Sequence, residues 1–518
     1  MTTSPSIEPQ QQPTQQHDAE LQSHLRGSSL LLVGRFLALA LNLATQVLTV
    51  RVLSRQDYGL FSYAMAAVTM LSLIVSLGLD KALSRMAALY RERMDYQRLF
   101  GGLALAAGSI LALSGLLAAV LLALRPSLPQ WLHTEPLAID LLCVLFVLAP
   151  LSALDSVVVA YYSVFTSARA IFLRRHVMVP MLRLLAVVTA WLLSGTASAL
   201  AATYAAAMLV GTALNGMLLA SILVSGCHVE RWQPRRLIFP FRDLLGVSLP
   251  LLSSHLALLA YESFLVFLVE YFHGAGDVAA LQAVRPFARL NELVIVSFAV
   301  LYVPAVARLQ GRGDSAGIVP LHGQTALWIG MATFPILAVT LGLGDLLVAA
   351  GLGHEYADAR RLLATMSLGY FISSITGINL TTLMALGMLT PYIILNLACA
   401  ASAMALGLAL VPHWGADGAS LALLLSLAGD GALSCWMLQR ATGIPPIVRE
   451  HRHAWAALLI GVLLLVGLRF IPGRGPVLDV TVSLGACALA WGVGRRSLRI
   501  LDLFPELRKV PLVTSLVR

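Results

Sequence analysis

Apolar runs of about 20 residues, parted by short polar or basic stretches, recur along the chain from residue 28 to residue 494. The runs are continuous instead of alternating, so they predict membrane-spanning helices and not the strands of a barrel. Spans fall near 28–50, 58–80, 99–124, 136–163, 172–195, 197–224, 242–272, 280–306, 320–350, 358–386, 388–412, 416–438, 453–471 and 477–494. The first two form a pair around a short polar turn at 50–59, and the pair closes on a basic segment at 81–98. The reading is an all-α polytopic membrane protein with about 14 transmembrane helices. Before the first run, residues 1–27 are rich in Gln, Pro and Ser and read as a disordered tail. They lack the basic start and small-residue cleavage site of a signal peptide, so the tail is expected to be retained.

Composition agrees: 58% of residues are hydrophobic and 12% charged, against roughly 25% charged in soluble domains. The placement of charge matters more than its amount. One set of loops, with both tails, holds 24 Lys and Arg, whereas the opposite set holds 7. That asymmetry places both termini in the cytoplasm and requires an even number of spans. Basic residues clustered at helix ends report topology, so nucleic acid is not an expected partner. The five cysteines are scattered without CxxC or Cys/His spacing, which predicts neither a disulfide framework nor a metal site.

Similar positions recur at an offset of about 220 residues: Asp57 with Asp277, Glu135 with Glu355, Gly211 with Gly431. An offset of six helices preserves orientation, so the halves 28–225 and 242–438 would be parallel repeats around a cavity. Spans within 453–494 lie outside the repeat, and 495–518 forms a second cytoplasmic tail. No outward loop exceeds about a dozen residues, and neither a GxxxxGK[ST] nor an HExxH motif occurs. The chain therefore does not read as an enzyme, and no cofactor is expected. Any pumping would draw on an ion gradient, the membrane potential or the substrate gradient.

Charges inside spans are costly and are functional candidates by default. Arg35 lies about two turns into the first span, either as a cavity cation or snorkelling to the headgroups. In the eighth span, Arg285, Arg289 and Glu292 share one face, four and three residues apart, and Pro286 allows a kink. Two planar guanidinium forks on a cavity wall would suit phosphate oxygens; the alternative is an Arg289–Glu292 pair with Arg285 reaching the outer surface. Glu262, near the middle of the seventh span, is a candidate proton carrier or a partner for Arg285 or Arg289. Asp155 and Glu292 are further ion-coupling candidates, while Asp430, among glycines, reads as a packing residue. His255 shares the seventh span, Glu270 reads as interfacial and Arg183 as part of the basic cytoplasmic rim. His413 reads as a loop residue, and Asp80 with Lys81 as a local pair.

TVRVLSRQDYGLFSYAMAAVTMLSLIVSLGLDKALSR (49–85) resembles the pattern that opens bacterial polysaccharide exporters. Residues 352–400 resemble their tenth and eleventh spans, and LVPHWGADGASLALLLSLAGDGAL (410–433) their twelfth. The chain thus resembles, over residues 28–438, the Wzx-type lipid-linked oligosaccharide flippases of the multidrug/oligosaccharidyl-lipid/polysaccharide exporter superfamily. The resemblance implies two six-helix lobes around a central cavity, here with two added C-terminal helices, working by alternating access. It implies an undecaprenyl-diphosphate-linked glycan moved across the bacterial inner membrane for lipopolysaccharide or exopolysaccharide assembly, beside polymerase and chain-length proteins. It also implies substrate-binding roles for Arg35, for Arg285 or Arg289, and for Arg51, the arginine common at the outer end of the first span. LQAVRPF in the eighth span departs from the family pattern. Rival readings are an ion-coupled multidrug or metabolite antiporter of the same superfamily, a membrane polymerase or ligase, and a structural membrane protein. The first would favour acids in its cavity, and the second needs a long outer loop that is missing.

Overall fold

A computed structural model of the chain describes residues 34–165, 172–225, 237–471, 473 and 475–498, and among them every regular element is helical. The tails at 1–27 and 499–518 lie outside the described residues, as do the side chains of Asp80, Lys81 and His255.

The first lobe contains α1 (Gly34–Val52), α2 (Arg55–Ser76), α3 (Leu79–Glu92), α4 (Tyr96–Leu124), α5 (Leu128–Leu132), α6 (Pro136–Leu145), α7 (Leu148–Phe165), α8 (Val179–Leu193) and α9 (Ala197–Ser225). The second contains α10 (Phe241–His273), α11 (Ala275–Ala288), α12 (Glu292–Gly311), α13 (Ser315–Leu337), α14 (Gly344–Gly351), α15 (Ala359–Ala385) and α16 (Leu389–Thr442). Two more, α17 (Arg452–Leu468) and α18 (Pro476–Leu498), complete the described chain. Twelve helical stretches are long and apolar enough to cross a membrane. One of the twelve is the 54-residue α16, which at about 1.5 Å per residue is long enough to cross twice. α10, with 33 residues, is also long enough to cross.

Local chemistry starts and stops the helices. Ser54, Asp95 and Asp314 cap α2, α4 and α13 by accepting from the backbone N–H three residues on. At Gly415 the backbone of α16 turns to φ 54°, ψ −131°, splitting it into two crossings. Left-handed backbone recurs at Met94 and Gly313, His133 and Gly353, and Gly195 and Gly415. These pairs are spaced by about 220 residues, the offset of the sequence repeat.

The basic segment 81–98 is not a plain loop. Leu79, Ala82, Leu83, Ala87 and Tyr90 are buried at helical spacing, so α3 lays an apolar stripe on α7 and α10 and turns its arginines outward.

In lipid, apolar side chains gain little from burying one another, so close packing of small groups holds helices together. Gly59 of α2 sits so near Ala275 of α11 that an added Cβ would overlap its carbonyl. Gly407 likewise receives Leu265. One apolar core crosses the lobes through Phe61, Tyr63, Val266, Val278 and Val284. α17 and α18 pack together and dock on α13 and the π-helical turn Ala338–Gly342. An Arg469–Asp345 pair at 2.9 Å fastens them.

The lobes meet at the end carrying the turn at 53–54, Gly274 and residues 352–358, here called the far end; α1 begins and α18 finishes at the tail end. α2 packs along α11 at the far end, whereas α12 packs on α13 and α15 with no comparable contact to the first lobe. The two lobes therefore close at the far end; toward the tail end α12 stands apart from the first lobe, while the start of α10 stays packed on α3.

Candidate functional site

A cavity of about 790 Å³ lies below the far-end seal, lined by α1, α2, α7, α8, α9, α10 and α11. The first-lobe wall carries neutral hydrogen-bonding groups, among them Asn42, Gln46, Thr49, Ser152, Thr212 and Asn215. Its charged lining is Asp155, Arg183, Glu262, Arg285 and Arg289.

The second-lobe charges form a compact network. Glu262 of α10 accepts from Arg285 in a close ion pair and from Arg289 Nη1 at 3.4 Å. Arg289 also donates to Glu292 Oε2 at 2.9 Å and lies over the Tyr370 ring at 5.8 Å. Arg285 donates to Gln282 Oε1 at 3.3 Å, and its buried Nε has no hydrogen-bond partner among the described residues. So the Arg289–Glu292 pair forms, yet Arg285 turns to Glu262 instead of reaching the surface. Both arginines thereby carry a shared carboxylate on the lining, with donors left over.

Pro286 explains how the network is presented. Proline has no N–H, so the carbonyl of Gln282 loses its helical donor. Gln46 of α1, in the other lobe, donates to that carbonyl at 3.3 Å and to Ala283 O at 3.4 Å. Three residues beyond Pro286 the helix tightens into a 3₁₀ turn, Arg289–Asn291, before α12 begins. The kink is thus anchored across the lobe interface.

On the first-lobe side, Asp155 of α7 accepts from Arg174 Nη2 at 2.5 Å and Asn215 Nδ2 at 2.7 Å. Arg174, 9% exposed, lies over the Tyr162 ring at 5.1 Å and belongs to the π-helical turn Leu173–Met178 that precedes α8. A buried pair of this kind is stable only when both charges are satisfied, and here Asn215 supplies the additional donor. Arg183, four residues into α8, is exposed on the lumen. No carboxylate pairs with it among the described residues.

The structure therefore brings together Asp155, Glu262, Arg285 and Arg289, with Glu292 behind Arg289. It does not bring Arg35 or Arg51 to the lumen. Arg35 is on the first described turn of α1, half-buried and away from the lining. Arg51 reaches over the far-end seam, donating to the carbonyls of Ala350 and Gly351. Beside it Arg55 pairs with Asp358 at 2.5 Å, donates to Glu355 O at 2.7 Å and Gly276 O at 3.1 Å, and lies on the Tyr356 ring. Arg51 and Arg55 thus bridge the two lobes across the far-end seam. Arg183 lines the lumen and is not confined to a cytoplasmic rim, because the π turn sets the register of α8. Sequence spacing offers no sign of that shift.

No curated protein matches the chain by sequence. Among solved structures, the lipid II flippase MurJ in an inward closed conformation aligns with a TM-score of 0.66 and 14% identity, covering 92% of this chain and 99% of MurJ. An inward-facing multidrug resistance MATE family transporter of the MOP superfamily aligns with a TM-score of 0.63 and 16% identity, covering 78% and 94%. An outward-facing structure described in the same words gives 0.51 at 16% identity, covering 81% and 95%. These likenesses show that the chain shares the fold of these transporters. The polysaccharide biosynthesis protein family matches residues 24–310, more than half of the chain. The chain belongs to the polysaccharide biosynthesis protein family.

Proposed function

We propose that this protein is a flippase that moves an undecaprenyl-diphosphate-linked oligosaccharide from the cytoplasmic to the periplasmic leaflet of the bacterial inner membrane. The observation that carries the reading is the charge of the lumen, where three arginines face two carboxylates. A diphosphate with a sugar head cannot cross hydrocarbon unaided. In the lumen, arginine forks replace its hydration, and the neutral Asn, Gln, Ser and Thr groups offer hydrogen bonds to sugar hydroxyls. The prenyl chain stays in lipid between the lobes. With the tail end cytoplasmic, a sealed far end with α12 apart from the first lobe corresponds to a state loaded from inside, and alternating access follows from rocking the lobes. Glu262, Asp155 and Glu292 are the groups on which a proton or cation could reset the cycle.

The likeness to MATE transporters supports a second reading, an ion-coupled antiporter of organic cations. An excess of lumen arginines opposes it.

Flipping of a fluorescent prenyl-diphosphate oligosaccharide in proteoliposomes tests both. Wild type should transport it, and Arg285→Ala/Arg289→Ala should lose at least about tenfold of the rate, since two charged hydrogen bonds are removed. Proton-driven efflux of organic cations, without flipping, would establish the antiporter instead.

A further inference from the structure

We infer that Arg183 anchors the anionic group of the substrate, and that Glu262 holds Arg285 and Arg289 until that anion arrives. The inference rests on the lumen being the site of a diphosphate lipid, as proposed above.

The argument is a charge balance over the lining. Asp155 is matched by Arg174 at 2.5 Å. Arg285 and Arg289 share Glu262, and Arg289 also holds Glu292 at 2.9 Å. With those groups matched, one lining charge has no counter-charge among the described residues, and it is Arg183. Its guanidinium is exposed to the lumen, where low-dielectric walls focus its field on an approaching anion. At Arg183 a phosphate displaces only water. At Arg285 and Arg289 it must displace a carboxylate that already occupies the fork. First contact therefore falls to Arg183, and exchange with Glu262 follows. Arg183 stands on the first lobe and the arginine pair on the second. A diphosphate reaching both would bridge the two lobes, whereas a single phosphate would engage one wall.

The test is binding of undecaprenyl diphosphate, with neutral undecaprenol as control, to the full-length protein in lipid nanodiscs. Wild type should prefer the diphosphate, and Arg183→Gln should weaken its binding by about 10- to 100-fold and flatten the salt dependence. Arg183→Lys should recover part of the affinity. Arg312→Gln removes the same charge from an exposed position outside the lumen and should leave binding unchanged. Because Arg183 makes no ion pair in the described fold, the variants should keep the wild-type melting temperature. Wild-type affinity in a folded Arg183→Gln protein would overturn the inference and leave the flippase reading standing. A wild-type protein that does not prefer the diphosphate over undecaprenol would overturn that reading, and this inference with it.

Discussion

At the scale of residues, Glu262 decides what the lumen offers. It neutralises Arg285 and Arg289 together, so it competes with any anion for them. Removing a partner from such a pair strands charge and typically costs about 3–5 kcal/mol of stability. Glu262→Gln should therefore melt lower than wild type without ligand. With undecaprenyl diphosphate it should bind about tenfold tighter, because no carboxylate is displaced, and show a larger ligand-induced rise in melting temperature. Transport should fall, since the displaced carboxylate no longer returns to expel the phosphate. A thermal-shift series with and without the lipid, beside the flipping assay, checks all three; equal ligand shifts in the two proteins would refute the competition. Much of this network was legible in the sequence. Arg285, Arg289 and Glu292 at i, i+4 and i+7 define one helix face, and a mid-span Glu262 on the preceding helix is a natural partner. Arg183 was not legible, because a π turn upstream rotates α8 and nothing in the spacing of residues 173–183 announces it. The placement of Arg51 was not legible for another reason: its partners are backbone carbonyls of Ala350 and Gly351, and carbonyls leave no sequence signature.

At the scale of elements, the break inside α16 shows how one crossing is tied to its neighbours. Gly415 takes a positive φ with ψ −131°, a conformation that costs a residue with a Cβ about 1–3 kcal/mol. An added Cβ would also press on Asp277 and lie 3.0 Å from His273 Cγ. Asp277 in turn caps the second half of α16 by accepting from Ala416 N at 3.1 Å, and His273 Nε2 meets Val411 O at 3.0 Å. The start of α11, the end of α10 and the break in α16 are therefore one junction. Gly415→Ala should destabilise the protein by at least about 2 kcal/mol, adding strain to a displaced cap. Asp277→Ala should lose about 1 kcal/mol, the worth of an N-cap. Unfolding midpoints in detergent compare the two, and an unshifted Gly415→Ala would mean that the break is soft. Apolar run length made the crossings legible, and the glycine at 415 coincides with the boundary read between spans ending near 412 and starting near 416. α3 escaped because the five positive charges of the segment 81–98 drew attention away from an apolar stripe at 79, 82, 83, 87 and 90 that was present all along.

At the scale of the whole molecule, the question is what keeps the far end shut. The visible clamp is electrostatic: Arg55 to Asp358, with side chains 28% and 48% exposed. Exposed pairs of this kind contribute only about 0–1 kcal/mol, too little to hold two lobes. The stronger constraint is steric: Gly59 lets the backbone of α2 touch the carbonyl of Ala275 on α11, and Gln46 reaches across to the carbonyl that Pro286 leaves free. Both contacts exist only when the lobes are closed at that end. Arg55→Ala should then shift the balance slightly, whereas Gly59→Ala should wedge the seam open, because neither backbone can yield to a new Cβ. Spin labels on cysteines replacing Glu135 and Ala357 report the separation across the far end. In wild type the short distance should dominate. In Gly59→Ala a longer population should grow and transport should slow, because the state that loads substrate from the tail end is depleted. An unchanged distance distribution in Gly59→Ala would show that the α2–α11 contact is not the element that closes the protein.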